Sequence, residues 1–308
     1  MLYLDTMNGM FSKSTWLHLR IPFSFFLLPV YLFALSISPD FSGSRILWSF
    51  IIIHFLLYPA SNGYNSYYDK DEKSIGGLKN PPPVNKGLYY LSLLLDLLAV
   101  VLGFIKIGAL FSLMLLLYGL ISKAYSHPSI RLKKYPIGSW AMIFIFQGFF
   151  SFMMCYVGIN GFSWEPLLTK PVLIPALLSS ILIGANYPLT QVYQHEEDEK
   201  RGDKTMSRLL GIRGTFWFAL VTFLIAAPGY VLFFSSFYSI SYAIMFLIML
   251  SPVVVFFLYW FYQVWKDEAA ADFTNTMRLN FISAICLNAF FIYFFLNQGQ
   301  VLQALQAG

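Results

Sequence analysis

The sequence predicts an all-α integral membrane protein, a bundle of nine transmembrane helices with its N-terminus in the cytoplasm. Three observations lead there. Hydrophobic residues make up 58% of the 308 and charged residues only 11%, whereas a soluble domain carries about 25% charged residues. Apolar runs recur along the chain, each long enough to cross a hydrocarbon core of ~30 Å. The loops between those runs alternate sharply in positive charge.

The first run, 16–37, has span length and no small-residue cleavage site, so it reads as a helix that stays and not as a signal peptide. The second, 46–64, carries polar residues at its end. The third and fourth cover 88–105 and 107–124, with Asp96 in the middle of the third. An acid inside a membrane helix either serves a function or is paired within the bundle. The fifth, 138–159, holds Gln147, which either lines a pocket or bonds a neighbouring helix. The sixth is 171–192. The seventh and eighth, 214–236 and 241–264, contain Pro228 and Pro252, and the ninth is 279–297. Cys155 and Cys286 lie inside apolar runs, where they pack and imply no disulfide or metal site.

The N-terminus and the loops after spans two, four, six and eight hold 17 of the 20 Lys and Arg residues, leaving Arg45, Lys106 and Lys170 for the other side. The positive-inside rule puts the charged side in the cytoplasm, most naturally of a bacterial inner membrane. The net charge of +5 follows from that topology and calls for no nucleic acid. Asp69 and Asp198 lie four spans apart, as do the basic loop 123–134 and the mixed loop 266–278. The chain thus reads as one domain, 1–308, with a four-helix pseudo-repeat over about 16–137 and 138–278 plus a ninth helix.

Two polar stretches interrupt the apolar pattern, NGYNSYYDKDEK at 62–73 and QVYQHEEDEKRGDKT at 191–205. Together they hold eight of the fifteen acids. In the first, His54, Tyr58, Asn62, Asn65 and Asp69 recur at steps of four and three, which puts them on one helical face. Lipid cannot satisfy such a stripe, so it points into the bundle or a wet cavity. Asp69, Asp71 and Glu72 offer hard oxygen ligands suited to Mg²⁺, with Asn65 as a carbonyl donor; the alternative is a solvated loop of mixed charge. In the second, Gln194, Glu197, Asp198 and Arg201 share a face, and the GDKT turn after them, with Lys204 and Thr205, offers groups for an anion. His195 is either a base or a solvated helix-end histidine. The loop KAYSHPSIRLKKYP (123–136) adds Arg131, Lys133 and Lys134, with Tyr125 just before them. These cations either anchor the loop at the membrane surface or neutralise phosphate charge. Arg20 either snorkels to the interface or points toward a headgroup site.

Taken in order, NxxxD after the second span, YSxPxxRLK after the fourth and DxxxGxxT after the sixth resemble the UbiA superfamily of intramembrane prenyltransferases over nearly the whole chain. The resemblance implies a nine-helix bundle open sideways to lipid. It implies that the two acidic motifs bind Mg²⁺, which holds an isoprenyl diphosphate while the allylic C–O bond ionises and an aromatic or other lipophilic acceptor captures the cation. Asp69 and Asp198 would then be catalytic. Asn65, Asp69, Asp71, Glu72, Gln194, Glu197 and Asp198 would surround the metal. Arg131, Lys133, Lys134, Lys204 and Tyr125 would meet the diphosphate, and His54, Tyr58, Asn62, Tyr118 and Tyr187 would line the pocket. The aromatic faces suit a carbocation, and a dry cavity protects it from water.

The chain departs from the family pattern in three places. Lys73 stands where the first motif ends on an acid, and Ser66 follows Asn65. Gln194 stands where the second motif begins on one. Pro82-Pro83 replaces an Arg-Pro element. These changes mark either a divergent member with another substrate or one that has lost transferase activity. Two other readings use the same features. A terpene cyclase would capture the cation internally. A transporter or lipid-binding protein would place polar groups near the bilayer midplane on broken helices, whereas here they collect at one face.

Overall fold

The computed structural model describes residues 9–40 and 42–298. Among these residues all regular structure is helical, apart from a lone antiparallel bridge between Ile75 and Leu78. Eight stretches are long and apolar enough to cross a membrane, and a bent pair at the start makes a ninth when counted as one span.

That bent pair corrects the straight first span expected over 16–37. Helix α1 (Lys13–Leu19) ends at Arg20, which takes a left-handed conformation with φ 48°. A 3₁₀ turn over Ile21–Phe26 follows, and α2 (Leu28–Ser36) leaves it at an angle of 42°. Pro22 and Pro29 each fall in the first turn of a new segment. There the missing N–H costs nothing, but neither proline can extend a helix arriving from before it.

Helix α3 runs unbroken over Gly43–Asp69, five residues beyond the expected end of the second span. It contains a wide π turn at Ile52–Leu57, just ahead of Pro59. Proline's ring crowds the carbonyl four residues earlier, and a widened turn relieves that crowding. The helices that follow are α4 (Lys86–Lys106), α5 (Ala109–Ser126), α6 (Pro136–Asn160) and α7 (Lys170–Leu189). Next come the short α8 (His195–Arg201), then α9 (Met206–Phe237), α10 (Ile240–Lys266) and α11 (Phe273–Gln298). Helix α9 starts eight residues before the expected seventh span and is kinked at Gly211 (φ 71°).

Packing inside the bundle is aromatic and close. Phe33 on α2 stacks on Phe291 of α11 with ring centroids 4.5 Å apart. Gly148 lets α6 approach α7 so nearly that a Cβ there would sit 2.3 Å from the Ser180 Cα. Small residues permit such contacts between membrane helices. The outer faces are the reverse of a soluble protein's: Leu97, Val101 and Phe104 on α4, Val221 and Ile225 on α9, and Ile244, Ile248 and Val255 on α10 all stand exposed. Continuous apolar surface of this kind matches a hydrocarbon environment. The chain is an integral, multi-pass membrane protein. The polar loops 70–85, 127–135 and 190–205 meet at one end of the bundle, joined by ion pairs.

Candidate active site

A cavity of about 600 Å³ opens inside the bundle, polar at one end and apolar along its body. Its polar head is built from chain reversals. Helix α3 stops at Asp69 because Lys70 adopts φ 51°, which turns Asp71 back toward the cavity. Gly202 does the same for α8 with φ 73°. The Asp203 N–H then closes on the Asp198 carbonyl at 2.8 Å, and the Asp203 side chain faces inward. A left-handed residue after a helix is the usual way to satisfy its last carbonyls, and glycine takes it without strain. On the third wall Arg131 (φ 44°) begins the short turn Leu132–Lys134 that directs Lys133 into the cavity.

These reversals bring residues some 130 positions apart into one ionic cluster. Lys133 pairs with Asp69, and Arg201 pairs with Asp71. Arg201 also lies 3.0 Å from Asp198 and 3.5 Å from Asp203. Arg131 holds Asp203 with two parallel bonds, Nε to Oδ1 and Nη2 to Oδ2, each 2.8 Å, the strong geometry for this pair. Thr205 donates to Asp198 at 3.2 Å. Burial, with the nearby charge of Asp69, pushes the Asp71 carboxyl above the usual range against the pull of Arg201. The hydrogen bonds to Asp203 push the Arg131 guanidinium upward.

Most of the residues singled out in the sequence line this cavity: Asn62, Asn65, Asp69, Asp71, Lys133, Gln194 and Asp198 at the head, then Tyr58, Tyr118, Tyr125, Tyr187 and Gln147 along the walls. Asn65 donates to Ser126 at 2.9 Å, which leaves its carbonyl oxygen as the acceptor end. Tyr125 and Tyr187 share a hydroxyl–hydroxyl bond. Arg131 stands behind the head, reaching it through Asp203 and lying 3.8 Å from Asp69. Arg20 also lines the cavity, donating to the carbonyls of Gly76 and Asn62.

Other residues are placed elsewhere. His54 is buried among Tyr31, Phe50 and Tyr58, away from the cavity. His54 lies inside the π turn, whose extra residue breaks the even helical step that would put it on the Asn62–Asp69 face. Glu72, Lys134 and Lys204 are exposed, with Lys134 resting over the Tyr135 ring. Glu197 is buried 4.0 Å from Arg201 and does not line the cavity. His195 bonds Ser207 at 2.8 Å. Asp96 pairs with Lys123 outside the cavity.

The sequence reading did not single out Asp203, Asn186 or Asn280. Asp203 is 2% exposed and is the closest partner of Arg131. Its signal was the glycine just before it, which reverses the chain. Asn186 and Asn280 bond each other at 3.0 Å on the cavity wall. They were legible only as lone amides inside apolar helices.

Farther in, Phe33, Tyr230, Phe246 and Phe291 close the apolar end. From Met277 to Phe291, both on its wall, α11 advances about 21 Å, so the cavity is long. Leu224, Leu247, Val254 and Leu258 line the cavity and are exposed, so its apolar body is open at α9 and α10.

Among the described residues no three His, Cys, Asp or Glu side chains converge as a ready-made metal cage. Mg²⁺ needs only one or two carboxylates when phosphate oxygens complete its shell. The donor chemistry therefore fits: Asp69 and Asp198 face one cavity, with the Asn65 amide beside them.

Comparison with known proteins agrees with this architecture. The model of the UbiA prenyltransferase family matches residues 24–283. A UbiA homolog from Archaeoglobus fulgidus, bound to GPP and Mg²⁺, shares the fold with a TM-score of 0.63 at 18% identity, over 92% of this chain and 99% of that one. The same figures hold for the form bound to DMAPP and Mg²⁺. A structure of digeranylgeranylglyceryl phosphate synthase gives a TM-score of 0.60 at 20% identity, over 92% and 98%. No curated protein matches the sequence.

Proposed function

The chain belongs to the UbiA prenyltransferase family, and from that premise we propose that it moves an isoprenyl group from an isoprenyl diphosphate to a lipophilic or aromatic acceptor with the help of Mg²⁺. The observation that carries this reading is a cavity that joins an ionic head to a long aromatic body. That shape suits a diphosphate joined to a polyisoprene tail, and the opening at α9 and α10 lets a lipid-soluble molecule enter from the bilayer. GPP and DMAPP, bound by the Archaeoglobus homolog, are the first donors to try.

In the reaction the allylic C–O bond breaks and its electron pair leaves with the diphosphate. The carbocation then bonds to the acceptor's electron-rich atom, which gives up a proton. Lys133 and Arg201 take up the charge that develops on the leaving group, with Arg131 behind them through Asp203, work that preorganised cations do without reorganising at the moment of reaction. Asp69 and Asp198, with Asn65, would hold Mg²⁺, which supplies Lewis-acid neutralisation of the diphosphate. Tyr58, Tyr118 and the deeper phenylalanines exclude water and turn π faces to the cation. The positive charge of the loops supports an ionic head on the cytoplasmic side.

The test is turnover by the purified full chain with labelled isoprenyl diphosphates of several lengths, a panel of aromatic and lipid acceptors, and either Mg²⁺ or EDTA. Mg²⁺-dependent release of pyrophosphate, lost in Asp69→Ala and Asp198→Ala, is expected together with a prenylated acceptor. Absence of turnover at every chain length and with every acceptor would overturn the reading.

A further inference from the structure

The carboxylates of the two acidic stretches face each other across a partly buried site, and like charges so placed repel unless a cation stands between them. Here the cations belong to the chain. The Arg201 guanidinium touches Asp71 of the first stretch and Asp198 and Asp203 of the second. Lys133 covers Asp69. At the rim Lys73 pairs with Glu196, and Gln194 donates to the Ser74 carbonyl at 3.5 Å. Lys73 and Gln194, two of the positions where the chain departs from the family pattern, thus sit where the stretches are fastened together.

A divalent cation approaching this site alone meets carboxylates that are already compensated. To bind, it must displace a guanidinium held by three of them, and the displaced cation has no new partner. A diphosphate supplies that partner, because its oxygens accept from Arg201 and Lys133 as the carboxylates turn to the metal. We propose that Arg201 is a tethered counter-ion that joins the two acidic stretches in the substrate-free chain, so that the divalent cation binds together with the diphosphate and not before it. The diphosphate half of this statement rests on the proposed function; the half concerning metal alone does not.

The experiment is titration of the full chain with Mn²⁺, followed by its paramagnetic resonance signal, with and without the unreactive donor geranyl thiolodiphosphate. Wild type is expected to bind Mn²⁺ at least tenfold more tightly when the thiolodiphosphate is present. Arg201→Gln is expected to bind Mn²⁺ alone at least tenfold more tightly than wild type, and to gain more thermal stability from Mg²⁺. Arg201→Lys, which keeps the charge, should behave as wild type. Equal affinity for Mn²⁺ alone in wild type and Arg201→Gln would overturn the proposal. If Arg201→Gln fails to fold, the wild-type comparison decides, and equal affinity with and without thiolodiphosphate overturns it. If the thiolodiphosphate binds under no condition, the prenyltransferase reading fails, and the metal-only comparison of wild type with Arg201→Gln still decides the role of Arg201.

Discussion

Replacing Asp203 by alanine should cost the fold about 3 kcal/mol. The carboxylate is almost fully buried and makes two bonds of 2.8 Å to Arg131, with Arg201 a further contact at 3.5 Å. Removing one partner of a buried pair strands the other charge, and such losses run to about 3–5 kcal/mol. The lower end applies because Arg131 retains Asp69 at 3.8 Å and its side chain is not wholly sealed from solvent. At roughly 2 °C per kcal/mol for a long chain, the melting temperature should fall by about 6 °C. The assay is thermal unfolding in one detergent at one scan rate, with Asp203→Asn expected to lie between the two. Glu199→Ala is the control: it removes an exposed partner of Arg208 at 3.6 Å and should cost less than about 1 kcal/mol. A melting temperature for Asp203→Ala within 1 °C of wild type (about 0.5 kcal/mol on the same scale) would refute the claim that this pair braces the site.

Three further expectations follow from the packing. Phe33→Ala and Phe291→Ala open the stacked floor of the cavity and should shift kcat/KM toward longer isoprenyl donors by about tenfold, the lower end of what a change in an apolar pocket yields; an unchanged ratio of long to short donors would speak against a floor there. Asp96→Ala strands Lys123 inside the bundle and should cost about 3 kcal/mol, whereas Asp96→Leu with Lys123→Met should unfold near the wild-type temperature. Gly148→Ala places a methyl against the backbone of Ser180 and should destabilise by about 1–3 kcal/mol through overpacking, seen as a lower melting temperature with the fold retained.

Membrane spans were legible because hydropathy and loop charge act over windows of twenty residues, longer than any local irregularity. The irregularities themselves were not. Pro22 and Pro29 split the first span, and Pro59 comes with a π turn that rotates His54 away from the stripe it was grouped with. Helical spacing assumes an even 3.6-residue period, and one extra residue defeats it. At the site, Asp69 and Asp198 could be picked out because each closes a polar face at the end of an apolar run. Asp203 could not, because its inward direction depends on the reversal at Gly202 and on an arginine 72 positions earlier. The pairing of Arg201 with Asp71 likewise joins loops that no local pattern connects.

The most direct measurement is a structure of the chain with geranyl thiolodiphosphate and Mg²⁺. The account predicts the diphosphate at the ionic head, between the end of α3 and α8, in contact with Lys133 and Arg201, with its tail directed toward Phe33 and Phe291. A diphosphate bound away from Asp69 and Asp198, with these carboxylates still held by Lys133 and Arg201, would contradict it.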